Sequence, residues 1–407
     1  MEINLIRFSN SLDPNDSYKK DSDQFLEDIN NDLFDDDLEI VENADEYAWS
    51  MIFIETGGSE QKFILEEEKF EHPFVLLTHC KNNSLPACFE IKTYIDQKYN
   101  EECLILFGTE PNVANTIKHF NKIMTAKKEI SSSKLGVIGK PSDWLIASTV
   151  NYEEVKKKFG TTLIDIPSSE LKEEIDKGLL DDLPHYQKMM TSGFNKDVIE
   201  GAYKIYSGLK RIIDKYQLNG FTLRCFDLIE EYKNTACLAL AMLNEQGILA
   251  GCEGDVPSLL TMLFVKAVSN QPSFQANPSR ISFKDSKILF AHCTVPLNMC
   301  KKYELMTHFE SGLGIGIRGT LDTSHVTICK IAPNLKNFLC VSGEIKENQN
   351  FPNYCRTQVL VELESDGLFD FIKDSYGNHV IITYNDIYDD MMTLFHIFPK
   401  NNKDNEG

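Results

Sequence analysis

Nowhere does this chain string together eighteen apolar residues, so nothing in its 407 residues reads as a membrane-crossing helix. It has no CxxC pair, and its cysteines number 11, an odd total. That usage disfavours zinc ribbons and dithiol redox motifs and reads as buried thiols in a reducing cytoplasm. Basic residues are in deficit: 41 Lys and Arg stand against 62 Asp and Glu, for a net charge of −21. Neutralising phosphates needs clustered Lys and Arg, so the balance argues against a nucleic-acid partner. The opening MEINLIRFSN lacks a basic region followed by a long apolar core, and a cytoplasmic location is expected rather than secretion. The glycine turn ETGGSEQ (55–61) matches neither the dinucleotide fingerprint nor the Walker loop.

What is present has ordinary globular composition, with 42% hydrophobic and 25% charged residues. Much of the acid is local, in DLFDDDLEIVENADE (32–46) and EEEKFE (66–71), and reads as solvated faces and turns. The first third alternates strand-like runs (INLIRF, WSMIFIET, FVLLTHC, CLILFG) with helix-like stretches such as LPACFEIKTYIDQKY. Such alternation predicts a parallel sheet covered on both faces. The pattern restarts with SKLGVIG, TTLIDI, GFTLRCF and GILAGC, and helices lie between them. From about residue 280 the runs are short, β-rich and punctuated by turns: KILFAHCTV, LGIGIRGTL, HVTICKI, NFLCVSGEI, TQVLVEL and HVIITY. They predict a barrel or sandwich. The expected layout is therefore α/β: an N-terminal doubly wound domain (1–130), a central one (131–278), and a C-terminal β-barrel-like domain with a terminal helix (279–407). The polar end PKNNKDNEG is expected to be disordered.

The stretch GCEGDVPSLLTML (251–263) places two carboxylates, Glu253 and Asp255, where a strand gives way to a helix. In α/β sheets, ligands bind beyond the carboxyl ends of strands. Asp255 also suits a helix cap, with Pro257 in the first turn. Glu253, flanked by Cys252 and Gly254 after an apolar run, would be costly without a metal or basic partner. THCKNNSLPA (78–87) sets His79 and Asn83 at another such junction, with Ser84 as a cap. GKPSDWLIAS (139–148) sets Asp143 and one of only two tryptophans, Trp144, at a third. Further on come His292, His308, Glu310, Arg318, Arg356, Thr357 and His379. Any one of these histidines alone is more often a hydrogen-bonded structural residue. Glu253 with one or two histidines from distant segments is a ligand inventory for a divalent metal in an oxygen and nitrogen site.

Taken in order, CEGDVPSLLTML, FAHCTVPLNM, HFESGLGIGIRG, CRTQ and GNHVIITY resemble the L-fucose isomerase-like proteins, relatives of L-fucose and L-arabinose isomerases. The resemblance implies two α/β domains followed by a barrel-like domain. It implies Mn2+, or another divalent cation such as Mg2+, held by two carboxylates and a histidine. Glu253 matches the first carboxylate and His379 the histidine, while Asn277, in PSFQANPSRI, stands where the second is expected. In such isomerases the acids also move a proton between C1 and C2 of an open-chain sugar through an enediolate. An amide ligates weakly and cannot take that proton. The resemblance thus gives Glu253 and Asn277 as catalytic positions, and Glu253, Asn277 and His379 as metal ligands. Asp255, His292, His308, Glu310, Arg318 and Arg356 are the candidates for contact with the sugar, and Asp285 is an alternative for the missing acid. Three readings stand: an aldose–ketose isomerase, an epimerase or isomerase of a modified sugar, and a carbohydrate-binding protein without catalysis. A homo-oligomer is also implied, with ETGGSEQ and THCKNNSLPA of one subunit facing the barrel of another.

Overall fold

A computed structural model describes residues 1–10, 16–101, 103–364 and 366–399. The residues fall into two compact units, Met1–Lys128 with the chain from Thr393, and Glu129–Met392. Most of the tail expected to be disordered lies outside the described residues.

The first unit is built on a parallel sheet of β1 (Glu2–Phe8), β2 (Glu39–Glu42), β3 (Ser50–Ile54), β4 (Val75–Leu77) and β5 (Leu104–Leu106), in the order β2-β1-β3-β4-β5. Successive side chains of a strand point to opposite faces. Met51 and Phe53 of β3 accordingly join one apolar cluster, with Phe25, Ile29 and Ile117 from helices Tyr18–Leu33 and Glu110–Ser132. Ile52 and Ile54 join another, with Ile91 and Ile95 from helix Ser84–Tyr99. A sheet buried on both faces explains why these strands read as unbroken apolar runs.

The second unit opens with a parallel sheet of β6 (Lys134–Ile138), β7 (Thr162–Ile166), β8 (Gly220–Leu223) and β9 (Leu249–Gly251), ordered β7-β6-β8-β9. Helix Lys196–Tyr216 packs on it, its first turn capped by Asn195, whose side chain accepts from the N–H groups of Asp197 and Val198. The rest is β10 (Ser273–Ser282), β11 (Lys287–His292), β12 (Cys300–Met306), β13 (Gly316–Leu321), β14 (His325–Ile331), β15 (Phe338–Asn348), β16 (Thr357–Leu363) and β17 (Val380–Tyr384). Six of these close an antiparallel barrel in the order β10-β11-β16-β15-β14-β17, while β12 and β13 form a separate ribbon. The α/β layers followed by a closed barrel are the architecture expected from the sequence.

Two segments differ from their sequence reading. PSFQANPSRI, which is not among the strand-like runs, is most of β10: Phe274 and Ala276 are buried and pair with Ile382 and Val380 of β17. Pro278 and Ser279 lie at a bulge in its pairing with β11. CKKYELM, likewise not among the strand-like runs, is β12: its lysines are exposed on the ribbon, so it carries no apolar alternation.

Helix Val256–Ser269 joins the two halves of this unit. It follows β9, is buried over most of its surface, and packs on β14 and β17. The N–H of Ile331 donates to Thr261 Oγ1 on this helix at 2.9 Å. The start of the helix is thereby fixed against both the carboxyl edge of the sheet and the barrel wall. No helix among the described residues is long and apolar enough to cross a membrane.

Candidate functional site

The bend between β9 and this helix forms because Glu253 and Gly254 take left-handed backbone angles, φ 62° and 73°. At Gly254 a Cβ would lie 2.7 Å from Lys140 O and Pro141 Cα, so only glycine fits there. Asp255 caps the helix, its Oδ1 accepting from the N–H of Ser258 at 2.9 Å, with Pro257 in the first turn. The bend presents Glu253 to a cavity of about 500 Å3, whose wall also includes Trp144, Asn277, His292, His308 and Glu310.

Glu253 Oε1 lies 3.5 Å from His379 Nε2 and 3.8 Å from His292 Nε2, while Oε2 accepts from Trp144 Nε1 at 2.8 Å. The donor atoms of Glu253, His292 and His379 lie within 4.8 Å of one another, so the three can hold a metal ion. His379 is fully buried, and among the described residues its Nε2 has no hydrogen-bond partner. Its other nitrogen, Nδ1, faces Asp255 Oδ2 at 2.9 Å. A carboxylate behind one ring nitrogen fixes the tautomer and leaves the other aimed at a cation. His292 Nδ1 lies 3.0 Å from Thr294 Oγ1, a hydroxyl that anchors the ring and can serve as donor or acceptor. The donor set of one carboxylate and two imidazoles, with an orphaned nitrogen at its centre, fits a divalent cation.

A buried charge needs compensation, and Asp255 has it. Its two oxygens receive Lys330 Nζ at 3.1 and 2.9 Å, and the same ammonium donates to Ser258 Oγ at 2.6 Å. Burial opposes the carboxylate of Asp255, but Lys330 and His379 outweigh it and hold its pKa below the usual range. Burial likewise opposes ionised Glu253, and the two imidazoles outweigh it. Burial opposes the imidazolium of His379 as well, yet Asp255 and Glu253 raise its pKa to about 9. A bound cation would take the place of that proton. Burial, with His379 adding to it, lowers the pKa of His292. Burial and His292 push His308 down to about 4, and its Nδ1 lies 3.1 Å from Ser311 Oγ. Glu310 is pushed up by burial and by the charge of Glu253.

The fold thus brings Glu253, Asn277, His292, His308 and Glu310 to one cavity wall. Asp255 stands behind His379 rather than on the wall. Arg318, on β13, pairs with Glu304 of the ribbon at 3.8 Å and is not part of the wall. Arg356 is turned to Thr307, its Nε donating to the carbonyl at 2.7 Å, and its guanidinium carbon lies 5.9 Å from the centre of the Phe309 ring. Thr357 ties the ribbon to the barrel, donating to Ile317 O and accepting from the N–H of Gly319. Asp285 is exposed in the β10–β11 turn, accepting from Ser282 Oγ, and Asp143 pairs with Arg224. Sequence reasoning missed Lys330. Its signal was a lysine inside the apolar strand HVTICKI, where a buried cation demands an acidic partner.

The junctions of the first unit are closed on themselves. Glu55 is buried and paired with Arg7 at 2.5 Å. His79 Nδ1 accepts from the N–H of Lys81 at 3.1 Å, so Nε2 carries the proton and donates to Ser22 Oγ at 3.3 Å. Ser84, expected to cap its helix, begins it instead and donates to Lys81 O.

No family model matches the chain. Its similarity is to sulfoquinovose isomerases. It is 21% identical over 289 residues to that of Priestia aryabhattai, covering 67% of this chain and 64% of that protein. It is 21% identical over 345 residues to that of Clostridium sp. (strain MSTE9), covering 77% and 74%. The match to the Alkalicoccus urumqiensis protein is 22% over 198 residues, 46% and 44%. The chain therefore spans less than two thirds of the length of the Priestia relative and is distantly similar to a set of proteins named as sugar isomerases.

Proposed function

We propose that this chain is an aldose–ketose isomerase that acts on an open-chain sugar with a divalent cation, Mn2+ or Mg2+, held by Glu253, His292 and His379. The observation that carries the reading is the buried, unpartnered Nε2 of His379, facing Glu253 and His292 beside a cavity large enough for a sugar. The distant similarity to proteins named sulfoquinovose isomerase supports the same reaction class.

A cation bound there would polarise the sugar carbonyl and stabilise charge as the neighbouring carbon loses its proton. The remaining work falls to side chains. Asp255, itself held by Lys330, orients His379, and Thr294 anchors the ring of His292. Glu253 has one oxygen turned to the imidazoles and the other bonded to Trp144, which leaves it a poor base. Asn277 cannot accept a proton and serves to orient a hydroxyl. Glu310 is the other carboxylate on the wall, and burial raises its pKa toward the range in which a group both takes and returns a proton. In this reading Glu310 moves the proton between C1 and C2 through the enediolate. Glu310→Gln is then expected to lower kcat by about 10²–10⁴-fold while leaving metal affinity intact. Equal loss of metal binding in a calorimetric titration would take Glu310 out of this role.

The direct test is NMR of the protein with Mn2+ in D2O and a panel of aldoses and ketoses. Deuterium entering the carbon beside the carbonyl, with a new sugar formed, is the expected result. Sugar binding without exchange would favour the second reading, a carbohydrate-binding protein, to which Asn277 points. The homo-oligomer belongs to the same proposal. Trp144 and Ile146, 53% and 93% exposed, give the segment beside the cavity an apolar surface suited to a second subunit. Light scattering showing an active monomer would remove that element.

A further inference from the structure

Five of the 11 cysteines line the cavity: Cys225, Cys237, Cys252, Cys293 and Cys355. Two of them touch. Cys225 follows β8 and Cys252 follows β9, neighbouring parallel strands in register at Thr222 and Gly251. Both residues leave the sheet at its carboxyl edge, and their sulfurs lie 3.2 Å apart. A disulfide needs about 2 Å between sulfurs, so a small side-chain rotation brings the pair to bonding distance. Cys329 and Cys340 form another close pair, 3.5 Å apart across β14 and β15, but neither lines the cavity. A small oxidant entering the cavity therefore meets Cys225 and Cys252, and also Cys293 and Cys355, but not the barrel pair; Cys225 and Cys252, with sulfurs 3.2 Å apart on adjoining strand ends, are placed to join.

We propose that Cys225 and Cys252 are a modification site, a dithiol that a peroxide closes to a disulfide. Cys225, the more exposed of the two, attacks a peroxide oxygen; the O–O bond breaks, a sulfenic acid forms, and water leaves after protonation. The sulfur of Cys252 then displaces the sulfenic oxygen, again as water. Two thiols and one hydrogen peroxide give one disulfide and two waters. The two sulfurs together lose two electrons, and the peroxide gains them. Transient disulfides of this kind occur in reducing compartments.

The bond would tie the β8 end to the residue immediately before Glu253. The bend around Glu253 is already constrained on both sides: Cys252 N–H donates to Gln275 Oε1 at 2.8 Å, and Ser142 N–H donates to Glu253 O at 2.9 Å. Whatever part of the closure is taken up by the Cys252 backbone rather than by side-chain rotation is passed to Glu253, and so to its distances from His292 and His379. This consequence for activity rests on the isomerase reading, whereas the disulfide itself does not.

The test is peroxide treatment of the full chain without sugar or metal, followed by digestion and mass spectrometry under non-reducing conditions. The expected product is a peptide linking Cys225 to Cys252, lighter by two hydrogens, absent after dithiothreitol and absent in Cys225→Ala. Cys237→Ser, which removes the other thiol of the Cys252 peptide, is expected to keep the link. Linkage at Cys329–Cys340 or Cys293–Cys355 with Cys225 and Cys252 free overturns the proposal, as does oxidation of Cys225 without a link. The wild-type map gives the answer even where a variant does not fold. The outcome is independent of whether the NMR test finds an isomerase.

Discussion

Both units of the chain place acids, histidines and glycines at the carboxyl ends of parallel strands, yet among the described residues of these junctions only the second unit's leave an imidazole nitrogen open beside a cavity. In the first unit Glu55 is neutralised by Arg7, and both nitrogens of His79 face partners from its own unit. In the second, Asp255 is neutralised by Lys330, and that neutral pair steers His379 so that its far nitrogen, without a hydrogen-bond partner among the described residues, faces Glu253. A strand-to-helix junction therefore does not make a site. What makes one is a polar group fixed on one side and unsatisfied on the other, and a cavity for it to face.

The comparison breaks most sharply at its two glutamates. Glu253→Ala removes the only carboxylate of the metal cluster and is expected to abolish Mn2+ binding in a calorimetric titration. Glu55→Ala leaves Arg7 with two more exposed partners, Asp23 and Glu42, and is expected to leave Mn2+ affinity unchanged. Unchanged affinity in Glu253→Ala would remove the distinction between the units. The next largest effect is expected at Lys330. Lys330→Met strands a buried carboxylate, and removing one partner of a buried pair costs about 3–5 kcal/mol. Urea unfolding should show that loss, and Lys330→Met with Asp255→Leu should recover part of it. A single variant as stable as the parent would mean that Asp255 is not held as a charge by Lys330.

The sequence displayed some of this and hid the rest for identifiable reasons. The barrel was visible because HVTICKI, TQVLVEL and HVIITY are short β-branched runs separated by turns. The bend at Glu253 was visible because CEGD puts acid and glycine between an apolar run and a proline. The pairing of Asp255 with Lys330 was not, because the two are 75 residues apart and meet only when the helix docks on β14. The approach of His292 to His379 was equally hidden. Those residues sit on or beside strands that the barrel closure brings together, their rings 5.3 Å apart. Periodicity reports which face of an element is buried; it does not report which two buried faces meet.

The smallest expected effect lies in the first unit and sharpens the comparison through pH. Burial, with Lys81 adding to it, lowers the pKa of His79, which must stay neutral for Nδ1 to accept from the N–H of Lys81. An unfolded histidine titrates near 6.5. Between that value and the lower folded one, the unfolded chain binds more protons, so stability falls as pH drops below about 6.5. The loss is at most about 1.4 kcal/mol per pH unit across that window. Trp49 is buried in this unit and Trp144 is exposed in the other, so Trp144→Phe leaves one reporter for the first unit. Urea titrations of that variant from pH 8 to pH 5, read by Trp49 fluorescence, should show the slope. Adding His79→Gln should flatten it whatever it does to stability at pH 8. A slope that survives the substitution would assign the acid sensitivity of this unit to its carboxylates, and His79 would then be no more than a packed ring between Phe25 and Phe53.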